Sequence, residues 1–387
     1  MKILLIVPEY PPHVVGGGGA VYEAIAEHLA RRGHEVTALF GDFRTRTAGR
    51  RERREGVELI GLPTFAPLFG IPWLLTAMPP KLRFWGSFLN VLLGRSWDVA
   101  HLHGVGFPLV DVAGWLLRRR RIPYVFTCHS FPEAPLNGSG FAAGLTKSYL
   151  GLVSQRTVRG AAAVTAVSQA TARNRRFTLP RDTRVIYNGL GDDAFAEGDV
   201  AAEAGPFMRV VSAGRISYSK GFDIAIEAIA VLRSRYRLTV RYDIWGADGG
   251  DESTFRELAV RRGVDDIVTF RGTFEPKDRL AIFRAYDILL VPSRAEPFGL
   301  IALEGMASGL PVVAADCDGL REVVDRAEAL VPAESAEAIA AAVHRLYAEP
   351  EALGSAARSG RRRSETFRWS EILPCYERCL EAAAAGM

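Results

Sequence analysis

Cysteine is scarce: the chain of 387 residues has four, at 128, 317, 375 and 379, and none stands at zinc-ligand spacing. This excludes a disulfide-stapled fold and a zinc module. Thiols scattered over a chain with no export signal are what a reduced, cytoplasmic protein carries. A signal-peptide core is also missing. The first apolar run is only Ile3 to Val7 before Pro8 and Glu9, the length of a buried strand. Residues 59–80 lack charge, yet Pro63, Pro67, Pro72, Pro79 and Pro80 interrupt any continuous helix there, so no membrane span is expected. Internal repeats, low-complexity tracts and the GxGxxG dinucleotide fingerprint are absent as well, and lysines are few.

What is present is a globular composition, 48% hydrophobic and 24% charged, with a length that suits two domains. The formal charge of +4 is unevenly spread. Residues 1–190 hold 24 Lys and Arg against 12 Asp and Glu, a net +12, and the remainder is net −8. A basic half joined to an acidic half points to an anionic partner for the first. Nucleic acid is not expected, because the basic runs form no recognisable module and the second half is acidic.

Short β-rich apolar runs alternate with helical patterns throughout. Strands are expected at 3–7, 36–40, 57–60, 98–102, 123–128, 163–167 and 184–187, with helical stretches at 18–33, 108–121 and 141–160. The pattern lapses over 191–207 and restarts at 209–213, with further strands near 238–245, 267–270, 287–291 and 311–315, and a final helix over 371–385. Such alternation gives βαβ units and parallel sheets covered on both faces. The expected fold is α/β, two doubly wound Rossmann-like domains facing a central cleft, with ligands beyond the carboxyl ends of the strands.

Three segments carry chemistry. Gly16, Gly17, Gly18 and Gly19 lie between the first strand and first helix, where bare backbone can approach a phosphate; a flexible turn is the ordinary alternative. Arg215 and Lys220 stand five residues apart before a helix, a fork and a point charge suited to a diphosphate, or simply two solvated cations. Glu296 lies on a loop and Glu304 in the helix that follows; they fit acceptors for ligand hydroxyls, or solvated acids favoured by a helix start.

Together these segments resemble the retaining nucleotide-sugar glycosyltransferases of family 4. Thr127-Cys128-His129-Ser130, Val185-Ile186-Tyr187-Asn188-Gly189, Phe270-Arg271-Gly272 and Ser308-Gly309-Leu310-Pro311-Val312-Val313 match too. The resemblance spans nearly the whole chain and is weakest over 41–95. It implies the GT-B fold: an acceptor domain over 1–190, a linker over 191–207, a nucleotide-sugar domain over 208–368, and a last helix, 369–387, crossing back to the first domain. It also implies roles. Arg215 and Lys220 would hold the donor diphosphate, Glu304 the ribose hydroxyls and Glu296 the sugar hydroxyls. The Phe298-Gly299-Leu300 backbone would lie close to the sugar and its phosphate. Gly16, Gly17 and Gly18 would approach the donor phosphate or the acceptor, His129 the reacting sugar, and Arg271 the nucleobase.

The implied reaction transfers a hexosyl group from a nucleotide-diphosphate sugar, UDP before GDP, to a hydroxyl with retention. No residue is an evident covalent nucleophile, so front-face displacement is expected, the departing phosphate helping to deprotonate the acceptor. No cofactor or metal is expected. Asp316-Cys317-Asp318 mimics a metal-binding DxD but stands where the family shows paired glycines, keeping only Gly319. His101 and His103, alternating on a strand without a third ligand, are expected to be structural. The arginines at 44, 46, 50, 51, 53, 54 and 118–121, with Phe65, Phe69, Trp73, Phe84, Trp85 and Phe88, suit an anionic membrane at its cytoplasmic face and a lipid-linked acceptor. The alternatives are a small soluble acceptor, a nucleotide-sugar epimerase, a phosphorylase, and a catalytically dead sugar-binding protein.

Overall fold

A computed structural model describes residues 1–12, 17–42, 50–63, 82–131, 141–174, 177–195 and 207–386. Gly16, Arg44, Arg46, Phe65, Phe69, Trp73 and residues 196–206 of the expected linker lie outside them. The chain forms two units, Met1–Tyr187 with Ser370–Met387, and Asn188–Trp369.

The first unit is built on eight strands: β1 (Lys2–Val7), β2 (Glu35–Asp42), β3 (Arg50–Arg54), β4 (Val57–Pro63), β5 (Val99–His103), β6 (Tyr124–Cys128), β7 (Ala163–Ala166) and β8 (Arg184–Val185). Their order is β3-β4-β2-β1-β5-β6-β7-β8. All pairs are parallel except β3 with β4. Ile3 to Val7 are fully buried, as a strand covered on both faces requires. Strand β3 was not expected. Its sequence, Arg-Arg-Glu-Arg-Arg, has no apolar alternation, and such charge is how a sheet edge avoids further pairing.

The second unit has β9 (Met208–Ala213), β10 (Val240–Trp245), β11 (Val268–Gly272), β12 (Ile288–Val291), β13 (Val312–Ala315) and β14 (Leu330–Val331). They run in the order β11-β10-β9-β12-β13-β14, all parallel. Sequence order therefore reverses between β9 and β12, and in the first sheet between β1 and β5. Loops leaving the carboxyl ends of strands on either side of a reversal diverge and leave a crevice. The second unit begins before the expected linker, since Leu190 exchanges backbone hydrogen bonds with Phe367 and Trp369 at 2.9 Å each.

The expected helix over 141–160 is broken. Helices Phe141–Tyr149 and Gln155–Arg159 flank a π turn, Leu150–Ser154. Buried Asp111 explains the break: it accepts from Tyr149 Oη at 2.6 Å and Ser154 Oγ at 2.7 Å. Residues five apart point away from each other in an α-helix, and the wider π turn brings them to one side.

The last helix, Trp369–Ala384, belongs largely to the first unit. Its Glu377 accepts from Arg32 Nε at 3.2 Å and meets His34 Nε2 at 3.1 Å and His28 Nε2 at 3.3 Å. Burial works against the carboxylate, yet these partners hold it below the ordinary range. Burial keeps His28 below the usual imidazole range, so at neutral pH Arg32 supplies charge here. His34, Glu377 and Glu381 also lie close enough to hold a cation, but Arg32 already contacts Glu377. A depressed carboxylate stabilises the fold above its unfolded pKa and loses that effect as pH falls through the folded value. Glu377→Gln is therefore expected to cost about 1–3 kcal/mol at pH 7. The gap from wild type should narrow below about pH 4, as measured by urea unfolding at both pH values.

Candidate active site

In the second unit the loops after β9 and β12 bring two of the sequence candidates together. Lys220 Nζ donates to Glu296 Oε2 at 2.6 Å. Backbone contact sets this approach. Gly221 has φ 68°, and a Cβ there would lie 2.0 Å from the Pro292 carbonyl oxygen, so only glycine fits. Arg294 N donates to the Ser219 carbonyl at 2.9 Å. The Arg294 guanidinium forks onto Asp223 at 2.7 and 2.8 Å and packs over the Tyr218 ring, fixing the turn that precedes Lys220. Arg215 is exposed, and its side chain forms no hydrogen bond or ion pair among the described residues.

Glu304 lies in the helix Leu300–Ala307, as expected, but its partner was not foreseen: Arg279 pairs with it. Burial raises the pKa of Glu304 above the ordinary carboxylate range, and Arg279 opposes that rise. Arg279 stands 25 residues earlier at a helix start, with no local pattern to mark it. Phe298 is buried and meets Phe367 edge-on. Gly299 caps the helix at φ 107°, followed by half-buried Leu300. Arg271 donates to Asp243 at 2.9 Å, and Tyr286 Oη donates to the same oxygen at 2.7 Å.

The loop after β13 accommodates its unusual sequence by putting Asp318 in the left-handed region, φ 37°, which aspartate tolerates better than most residues. Asp318 accepts from Glu296 N at 3.3 Å, and Arg321 pairs with Asp316. The retained Gly319 lies against Pro297, whose oxygen would be 2.4 Å from a Cβ.

In the first unit Gly17 caps the helix Gly18–Arg31, and Tyr22 of that helix lies over His103 and His129, with ring centroids 5.0 and 5.2 Å apart. His103 Nδ1 is 2.8 Å from His129 Nε2. His101 Nε2 is 2.7 Å from Thr127 Oγ1, which is 2.7 Å from Thr165 Oγ1. His101 and His103 are fully buried, whereas His129 is half-buried. Burial pushes His101 and His129 down to about 3, and His103 well below the usual imidazole range. All three are neutral at ordinary pH. Phe88 is not part of an apolar surface: it is fully buried, because its helix packs it into the core. Among the described residues, the exposed large apolar side chains here are Leu89, Trp115, Leu145, Leu152 and Val153.

Known proteins share these segments. The description "Glycosyl transferase 4-like domain" matches residues 16–189 and "Glycosyl transferases group 1" matches 208–349. The D-inositol 3-phosphate glycosyltransferase of Saccharomonospora viridis is 30% identical over 294 residues, 70% of this chain and 67% of the relative. The chain belongs to the group 1 glycosyltransferases. Glycogen synthase of Mycobacterium tuberculosis is 27% identical to this transferase, covering 100% of it and 96% of the relative. Among solved structures, sucrose-phosphate synthase from Thermosynechococcus elongatus superposes with a TM-score of 0.83 at 24% identity, each chain fully covered. Anabaena HepE in complex with UDP and glucose gives 0.73 at 21%, covering 99% of this chain and 100% of the other. The transferase has the GT-B fold.

The Arg279–Glu304 pair yields a test within the second unit. Removing the cation leaves a largely enclosed carboxylate unsatisfied, so Arg279→Leu should destabilise the transferase by about 1–3 kcal/mol at pH 7. The penalty should shrink in acid, where Glu304 takes up a proton, and Glu304→Gln in the same chain should restore most of the loss. Thermal unfolding of the single and double variants at pH 5 and 7 measures both.

Proposed function

We propose that this transferase moves a hexosyl group from a nucleotide-diphosphate sugar, UDP before GDP, to an acceptor hydroxyl with retention and without a metal. The observation that carries the reading is the Lys220–Glu296 contact where strand order reverses in the second sheet. A cation and a hydroxyl-accepting acid stand side by side there, as a charged leaving group attached to a sugar demands. Lys220 and Arg215 hold the diphosphate and offset the charge that builds on it. Glu296 accepts from sugar hydroxyls and Glu304 from the ribose. The glycine-capped helix start at Phe298-Gly299-Leu300 offers backbone N–H groups. Arg271 lies toward the nucleobase. His129 contacts the sugar, with Gly16, Gly17 and Gly18 near phosphate or acceptor. The departing phosphate takes the acceptor proton, so the new bond forms on the face the nucleotide leaves. UDP is the first choice because HepE, which shares the fold, binds UDP and UDP-glucose in its crystals.

A ligand at a hundred times its Kd stabilises a protein by about 2.7 kcal/mol. In a thermal-shift panel of UDP-, GDP-, ADP- and TDP-sugars, one nucleotide is expected to shift wild type but not Glu304→Ala. The product anomer, read by proton NMR, should retain the donor's configuration, and a chelator should leave turnover unchanged. Inversion would overturn the mechanism.

The acceptor is proposed to be lipid-linked and reached at an anionic membrane. Leu145, Leu152 and Val153 are exposed on one segment with Lys147 and Arg156, and Trp115 is exposed beneath Arg119. Among the described residues no helix is long and apolar enough to cross a membrane. Apolar anchors with basic neighbours bind at the interface instead. A phosphorylated small acceptor is the second reading, since it also suits the basic half, and several relatives are named for D-inositol 3-phosphate. Anionic liposomes should float the wild type at low salt, and float it poorly at high salt or after Leu152→Asp. No flotation at low salt favours the small acceptor.

A further inference from the structure

We propose that His103 is a positioning residue that fixes the tautomer of His129 and so presents His129 to the ligand as a neutral Nδ1–H donor. The inference rests on the reading above, in which His129 meets the donor sugar.

Strand pairing builds the arrangement. Strands β5 and β6 are parallel with His103 opposite Thr127, so His101, His103, Thr127 and His129 project from one side of the sheet. Between His103 Nδ1 and His129 Nε2, 2.8 Å apart, one proton is shared, and the question is which ring owns it. The answer lies on the far side of His103. Its Nε2 is fully enclosed and has no hydrogen-bond partner among the described residues. If His129 donated, the neutral His103 ring would carry its proton on Nε2, as a buried N–H without an acceptor. Folded proteins avoid that arrangement more strongly than a bare acceptor. With the proton on Nδ1 instead, His103 donates, and only a bare ring nitrogen remains inside.

His129 then accepts at Nε2, and a neutral imidazole that accepts at one nitrogen must carry its proton on the other. Nδ1–H is thus what His129 offers outward. His103 is held for this task on two sides: the His101 ring centroid lies 3.9 Å away and the Tyr22 ring centroid 5.0 Å away. His101 repeats the pattern. Its Nε2 is engaged by Thr127 and its Nδ1 has no partner among the described residues, so it can take no proton from His103 through a hydrogen bond. A neutral ring offers a sugar hydroxyl a hydrogen-bond donor without adding a charge beside it.

Long-range proton–nitrogen correlation on the full chain labelled with nitrogen-15 histidine reads the tautomer directly, with His129 assigned by the signal lost in His129→Gln. The wild type should show His129 protonated on Nδ1; protonation on Nε2 overturns the proposal without any variant. His103→Leu should give a mixture of tautomers and lower kcat about tenfold, the rate equivalent of one hydrogen bond, with the donor KM little changed. His103→Asn, whose amide can donate from the place of Nδ1, should restore the tautomer and most of kcat. A leucine variant with wild-type tautomer and kcat refutes the positioning role. Full kcat in His129→Ala refutes instead the sugar contact on which the inference rests, and the wild-type spectrum tells the two failures apart.

Discussion

The contact between Lys220 and Glu296, 2.6 Å long, answers a problem that parallel topology creates. Where strand order reverses, the loops leaving β9 and β12 head to opposite faces of the sheet, and nothing in the sheet itself keeps their first residues together. Here backbone and charge both do so. Gly221 lies where any Cβ would collide with the Pro292 carbonyl, Arg294 donates from its backbone to Ser219, and the Lys220 ammonium closes on Glu296. The ordering of the loop after β13 follows from this, because Asp318 accepts from Glu296 N and Gly319 N donates to the Glu296 carbonyl at 3.0 Å. Three loops from three neighbouring strands are thereby referred to one carboxylate residue.

The two units use burial differently. In the second, enclosed acids are matched by cations: Glu296 by Lys220, Glu304 by Arg279, Asp243 by Arg271, Asp287 by Arg209. An enclosed charge without a partner is costly, so each pair is partly an answer to its own desolvation. In the first unit the enclosed groups around β5 and β6 are histidines, which escape the same problem by giving up the proton. The result is a set of charged pairs in the second unit and a cluster of neutral rings in the first.

Sequence made some of this legible and hid the rest for identifiable reasons. Segments with dense apolar runs, such as Ile3–Val7 and Ile288–Val291, specify buried strands whatever surrounds them, and the glycine and charge spacings around 214–221 and 296–304 survive as local patterns. Strand β3 was hidden because its edge position asks for charge, and the π turn because its cause, Asp111, is 38 residues before Tyr149 and 43 before Ser154. The partnerships of Arg279 and His103 were hidden for the same reason. Each residue acts on a side chain 25 or 26 residues away, through a contact that only tertiary packing creates. Long-range pairs of this kind leave no periodicity to read.

The same pairing constrains how an anionic ligand can enter the second unit. Lys220 is already neutralised by Glu296, and with Asp318 bonded beside it the two acids outnumber that lysine. A diphosphate approaching this corner meets repulsion unless the ion pair is exchanged, with Lys220 turning to the phosphate and Glu296 to a hydroxyl of the attached sugar. A free nucleotide offers only the first half of that exchange, and a nucleotide-sugar offers both. On the function proposed above, discrimination for the intact donor follows from leaving Glu296 with or without a new partner, because an unpaired enclosed carboxylate is penalised more than a weak contact is rewarded. Arg215, exposed and uncommitted among the described residues, can make the first encounter without breaking anything. On the function proposed above, electrostatics sets the order: Arg215 captures, and Lys220 and Glu296 exchange partners only when the sugar is present.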